Sequence, residues 1–461
     1  MALLLMAVLI EFTRLPHMPK WSWDKLSTFC FPGCDPSDNP SVCPQGYTDA
    51  EVRNYAKFDL VLVQGRNFTR HPSGTWRADQ EAQQNLFARR LHSLPPARPV
   101  FPYIGFYAPQ AWYESQARFN DPAPQWEAMW MRDSNGEFAS MTGHGVSCCS
   151  TSDEGGNYDQ FPWRRLYDWR AETTRHYLVQ QVINFVLDNP HFSGIFFDDV
   201  DSVATIDIQC STAATPCATC KCECGHWTDH DRQHFVNSTL ETVEMLLQTM
   251  AANGKLPILS TAESGCPPDA HGKLPSDCKK GGNPHGKAFT LQVAALLRQY
   301  GGFRFREAYG SIASSTGNLT IDSKANSDFL DGDLRFLLSQ ADAGTPHLVH
   351  GHGDESNTLE YLLAAFLIVM SDDWYFSASG WTAAQDPRFS DHEWGERSFP
   401  YLDVFDRPLG PPKSKAVETS HRVWRREFEH ATVELRVDCV QKPRNCSTLV
   451  WQRPVRNSYT L

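Results

Sequence analysis

Three aspartates crowd one stretch of this sequence: Asp198, Asp199 and Asp201 follow directly on the apolar run Gly194-Ile195-Phe196-Phe197. Further along, Glu307 closes a comparable run, Phe303-Arg304-Phe305-Arg306-Glu307. Carboxylates held at the ends of two apolar segments can share acid–base work. One attacks or activates water while the other lends a proton to a leaving oxygen, the chemistry that breaking a glycosidic bond requires. If both runs are strands, Gly194, Phe196 and Asp198 share one face, and Phe303, Phe305 and Glu307 share the equivalent one. Asp198 is then the first candidate and Asp199 the next, since a one-residue register change exchanges them. Glu263, in Ser260-Thr261-Ala262-Glu263, competes with Glu307 as proton donor. Arg304 and Arg306 fall on the opposite face from Glu307; were they to turn inward, Glu307 would be an ion-pair partner instead. The three aspartates also admit a plainer use, solvating a strand end or holding a structural Ca2+.

Other residues could shape a binding cleft. Tyr107, Trp112, Trp169 and Trp381 offer flat apolar faces of the kind on which sugar rings stack, although such rings are also ordinary core material. Asp168 precedes a helical segment, where capping its first turn is the natural role. Asp201, His350 and His352 could hydrogen-bond substrate hydroxyls. His350 and His352 could also ligate zinc, but no third ligand stands at a fixed spacing from them. The Cys217 to Cys224 run reads as disulfides rather than as a zinc site.

These residues need elements to hold them. Short apolar segments at 26–31, 58–65, 99–107, 194–197, 256–261, 303–308, 347–351 and 374–378 predict eight strands. Helical spacing at 48–57, 79–91, 171–187, 231–252, 287–300, 327–341 and 358–370 predicts helices between most of them. Eight strands alternating with helices is the pattern of an α/β protein, a (β/α)8 TIM barrel, whose chemistry sits at the carboxyl ends of the strands. An open doubly wound sheet is the alternative, but no Gly-rich strand-to-helix fingerprint or phosphate-binding loop accompanies the strands, so no nucleotide or redox cofactor is expected. Residues 1–20 read as a leader, 21–385 as the barrel, and 386–461 as a linker and small β-structured appendage packed as a cap. A long insertion at 108–165 and a cysteine-rich loop at 205–228 interrupt the barrel.

The 461 residues carry 54 acidic against 42 basic side chains, a net charge of −12, which disfavours nucleic acid as a partner. Fourteen cysteines, together with sequons at Asn67, Asn237, Asn318 and Asn445, point to an oxidising, secretory compartment and to a disulfide-bonded glycoprotein. Local pairing candidates are Cys30, Cys34 and Cys43, the group from Cys210 to Cys224, Cys266 with Cys278, and Cys439 with Cys446. The apolar run at 2–10 is too short to span a bilayer, and the most apolar helix, 359–370, is interrupted by Glu360, so no membrane span is expected.

Taken together, Phe58-Asp-Leu-Val-Leu-Val-Gln-Gly65, the Gly194 to Asp199 strand behind a long helix, an acid-bearing sixth strand, and a tail with Pro408-Leu-Gly-Pro-Pro412 before Val423 to Leu435 resemble the hypothetical glycosyl hydrolases of the TIM-barrel glycosidase superfamily. Similarity to the endo-polygalactosaminidase and α-galactosidase-like groups is looser. The resemblance implies Asp198 as nucleophile or base, Glu307 as proton donor, and a carbohydrate substrate. The cysteine-rich loop and the insertion depart from the family pattern. The expectation is a secreted glycoside hydrolase; a non-catalytic carbohydrate-binding barrel and a metal-dependent hydrolase using His350 and His352 are the rivals.

Overall fold

The computed structural model describes residues 21–31, 47–63, 80–107, 113–116, 124–132, 141–142, 145–146, 166–198, 200, 229–261, 284–309, 319–353, 359–380, 401–438 and 446–452. Eight strands form one parallel sheet in chain order. They are β1 (Phe29–Cys30), β2 (Leu60–Val63), β3 (Val100–Gly105), β4 (Gly194–Asp198), β5 (Leu256–Ser260), β6 (Phe303–Tyr309), β7 (His347–Gly353) and β8 (Trp374–Gly380). A parallel bridge between Thr28 and Phe376, with the Phe376 amide donating to Ser27 O at 3.0 Å, joins the last strand to the first. The sheet is therefore a closed (β/α)8 barrel, and every one of the eight predicted strands takes part in it.

The helices that follow the strands are α1 (Asp49–Tyr55), α2 (Gln80–His92), α3 (Glu172–Tyr177), α4 (Asn184–Leu187), α5 (Asp229–Ala252), α6 (Pro284–Tyr300), α7 (Leu319–Asp342) and α8 (Leu359–Val369). Local chemistry sets their ends: Thr48 and Glu51 form a reciprocal capping box at the start of α1. The helix predicted over 171–187 is broken, because a π turn at Leu178–Val182 separates α3 from α4. Its N-cap is Ala171 without a side-chain bond, so Asp168 does not cap it.

The strand β4 starts on a residue that has to be glycine. A Cβ on Gly194 would lie 1.7 Å from the carbonyl oxygen of Leu256, its partner on β5. Leaving out the side chain lets the two backbones approach.

After the barrel, β9 (Val417–Ser420), β10 (Val423–Glu427), β11 (Ala431–Arg436) and β12 (Ser447–Trp451) form an antiparallel sheet in chain order. Alternate residues Trp424, Arg426, Val433 and Leu435 are buried, so the sheet has one covered face. That face lies on α8, a helix buried on all sides from Tyr361 to Val369 because the barrel covers one side and the sheet the other. Buried Arg426 directs Nη1 at the carbonyls of Leu367 (3.2 Å), Ile368 (3.1 Å) and Met370 (2.6 Å), the open end of α8. Burial pushes its guanidinium down to about 10. Ser327 on α7 also donates to Val437 O at 3.1 Å. Among the described residues no helix is long and apolar enough to cross a membrane.

Cysteine usage differs from the expectation at one place. Cys30 on β1 is a free, buried thiol, and burial pushes it well above its ordinary range. Its neighbours on both sides point into the barrel, so its own side chain faces the helical layer. Cys446 is disulfide-bonded, to a cysteine outside the described residues.

Candidate functional site

Ring contacts between strands that are not neighbours reveal which face of each strand lines the barrel interior. Phe196 on β4 meets Phe305 on β6 at 4.7 Å between centroids. Phe31, just past β1, meets Phe196 at 5.3 Å, Tyr103 on β3 at 5.9 Å and Phe305 at 6.4 Å. Phe29 on β1 approaches Phe305 at 5.9 Å and His350 on β7 at 6.3 Å. Only the barrel axis brings these strands together, so Phe29, Phe31, Tyr103, Phe196, Phe305 and His350 form an aromatic floor inside it.

Asp198 lies two residues beyond Phe196, at the carboxyl end of β4, and therefore in the inward phase above that floor. It pairs across the sheet with Gly105 of β3. On the other side, Ser260 is the next inward-phase residue of β5 after Ile258, which pairs with Phe196. The carboxylate position is thus flanked by a glycine and a serine, which leave room at the mouth. The Asp198 carbonyl accepts from Phe106 N at 3.0 Å, and Val200 N donates to Ser260 O at 3.0 Å, so the backbone on both sides of the acid is anchored. Sequence reading found Asp198 but missed Gly105 and Ser260; their signal was the small residue at the end of each neighbouring strand.

On β6 both arginines point away from the interior. Arg304 is fully buried between barrel and helices, with Nε on Thr261 Oγ1 at 2.8 Å, Nη2 on Thr261 O at 3.0 Å and Nη1 against His347 Nε2 at 3.0 Å. His347 Nδ1 faces Thr345 O at 2.8 Å, so the proton sits on Nδ1. Burial, and the Arg304 charge beside it, hold His347 well below the ordinary imidazole range. Arg306 pairs with Asp333 of α7 at 2.5 Å, both groups buried. The alternation then slips: Arg306 pairs with Val349 but Tyr309 with Gly351, three steps on β6 against two on β7. Tyr309 Oη donates to Ala365 O of α8 at 2.9 Å, so it faces outward although simple alternation would send it inward with Phe305. Glu307 lies within this bulge.

The remaining candidates separate. Tyr107 is half-buried just beyond the end of β3, and its carbonyl accepts from Tyr167 N at 2.9 Å. Asp168 forms a two-pronged ion pair with Arg170, Nε to Oδ1 and Nη2 to Oδ2, each 2.8 Å. Trp169 is fully buried against Phe106 and Tyr167, at 4.6 Å and 5.2 Å, and so presents no face to a ligand. His350 is a member of the aromatic floor. His352 lies on β7, while Asp199, Asp201, Glu263, Trp112 and Trp381 lie outside the described residues. Among the described residues, no three or more His, Cys, Asp or Glu side chains come together as a metal site.

No family model and no curated protein matches the sequence. Among solved structures the chain is similar to Ega3 of Aspergillus fumigatus in complex with galactosamine, at 9% identity over 84% of this chain and 98% of that one, with a TM-score of 0.38. It is also similar to an alpha-amylase from Lactobacillus plantarum, at 10% identity over 89% and 87%, TM-score 0.38. A third is sucrose 6F-phosphate phosphorylase from Thermoanaerobacter thermosaccharolyticum, at 8% over 93% and 98%, TM-score 0.41. The barrel rests on its own strand order and closure.

Proposed function

We propose that the chain is a glycoside hydrolase that cleaves O-glycosidic bonds of an oligo- or polysaccharide with a pair of carboxylates. The observation that carries this reading is the inward phase of Asp198 above the aromatic floor, between Gly105 and Ser260. Asp198 acts as nucleophile or base, and Glu307, on the strand two places round the barrel, donates the proton to the leaving oxygen. Tyr107 borders the sugar. The enzyme works in an oxidising, secretory compartment, a reading supported by its fourteen cysteines, its four sequons and the disulfide at Cys446.

Hydrolysis of aryl glycosides and polysaccharides by the purified chain tests this. Asp198→Asn and Glu307→Gln should each lower kcat/KM by about 10²- to 10⁴-fold, the usual cost of losing a general acid or base. Their melting temperatures should stay near that of the parent. Activity surviving both substitutions would remove the assignment.

A further inference from the structure

Residues Tyr113, Glu114, Ser115 and Gln116 run back across the start of α2 and are tied there by a reciprocal pair of carboxylates. The Glu114 carboxylate accepts from the amides of Glu81 (2.9 Å) and Ala82 (3.2 Å), in the first turn of α2. In return, Glu81 Oε1 accepts from the Ser115 amide at 3.1 Å and from the Ser115 hydroxyl at 2.5 Å. Further bonds extend the tie to three other elements. Tyr113 Oη donates to Tyr103 O of β3, while Gln84 Nε2 reaches Val63 O of β2 (3.0 Å) and Tyr103 O (3.2 Å). Tyr177 at the end of α3 donates to Ser115 O at 2.6 Å. The strap thus fastens β3, α2 and α3 together beside the barrel mouth, and Gln84 of α2 adds β2.

We propose that residues 113–116 are a pH-dependent strap, fastened at acidic pH and loosened toward neutral pH by ionisation of Glu81. Among the described residues, Glu81 faces Ser115, Glu114 and Tyr113 on the strap; Gln84 of the same helix reaches Tyr113, Tyr177 lies beyond Ser115, and Tyr47 packs on Phe87 of α2. The nearest charge among them is another carboxylate. Burial first, and then the charge of Glu114, push the Glu81 carboxyl up to about 7 from its ordinary 4.5, against the opposing effect of the Ser115 bonds. Once the strap is released, Glu81 meets water and returns to the ordinary value. The fastened state therefore holds the proton more tightly than the released one. Its extra stability is complete below about 4.5 and is lost as pH rises through about 7.

Hydrogen exchange read by mass spectrometry on the full chain, corrected for the intrinsic rate at each pH, tests the strap. Protection of the Glu81, Ala82 and Ser115 amides should fall by up to about a hundredfold between about pH 5 and about pH 8, while that of α5 stays constant. Glu81→Gln keeps an acceptor for Ser115 and removes the titration, so its protection should be the same at both pH values. Flat protection in the parent protein would overturn the proposal without any variant. A fall in Glu81→Gln equal to the parent's would overturn it too.

Discussion

Strands β4 and β6 begin alike and end differently. Each sends a phenylalanine into the barrel, Phe196 and Phe305, and each carries an acid two residues later. On β4 the pairing with β3 runs evenly from Tyr103 and Phe196 to Gly105 and Asp198, so alternation carries the inward phase to the acid. On β6 the pairing with β7 slips between Arg306 and Tyr309. Period-two reasoning is a statement about an unbroken ladder, and it transfers a direction only as far as the ladder holds. Asp198 is therefore the firmer half of the proposed pair.

Three substitutions probe this difference. The largest effect falls on β4: Gly194→Ala places a methyl 1.7 Å from Leu256 O, inside van der Waals contact with backbone that cannot move aside. Loss of the cooperative unfolding transition by circular dichroism is expected, and a folded Gly194→Ala would mean that β4 and β5 can separate without losing the barrel.

The second falls on β6. Arg306→Met leaves Asp333 buried and unpaired, and should destabilise the chain by about 3–5 kcal/mol in denaturant unfolding. Arg306→Met with Asp333→Leu should recover most of it. If stability were untouched and only glycosidase activity fell, Arg306 would face the mouth, and the even part of β6 would be out of phase.

The smallest is a pH effect on the same layer. The unfolded chain takes up a proton on His347 below about pH 6.5, and the folded chain does not, so this histidine removes stability as pH falls below that value. Between about pH 7.5 and about pH 5.5, the melting temperature should drop less in His347→Asn than in the parent. Its sign is opposite to that of Glu81.

The amino-acid sequence by itself determined the eight apolar strand segments, the helices between them and the covered face of the tail, because strand and helix periods are properties of consecutive residues. It placed Asp198 at a strand end and read Arg304 and Arg306 as facing the helices. Contacts between distant segments decided the rest. Trp169 became core because Phe106 and Tyr167 enclose it, and Asp168 turned to Arg170 instead of capping α3. Cys30 stayed a buried thiol inside the sheet. Arg426 closed a helix that ends more than fifty residues earlier in the chain. The bulge that leaves Glu307 between two phases is set by the register of β6 on β7. Only the folded chain, with both strands side by side, contains that information.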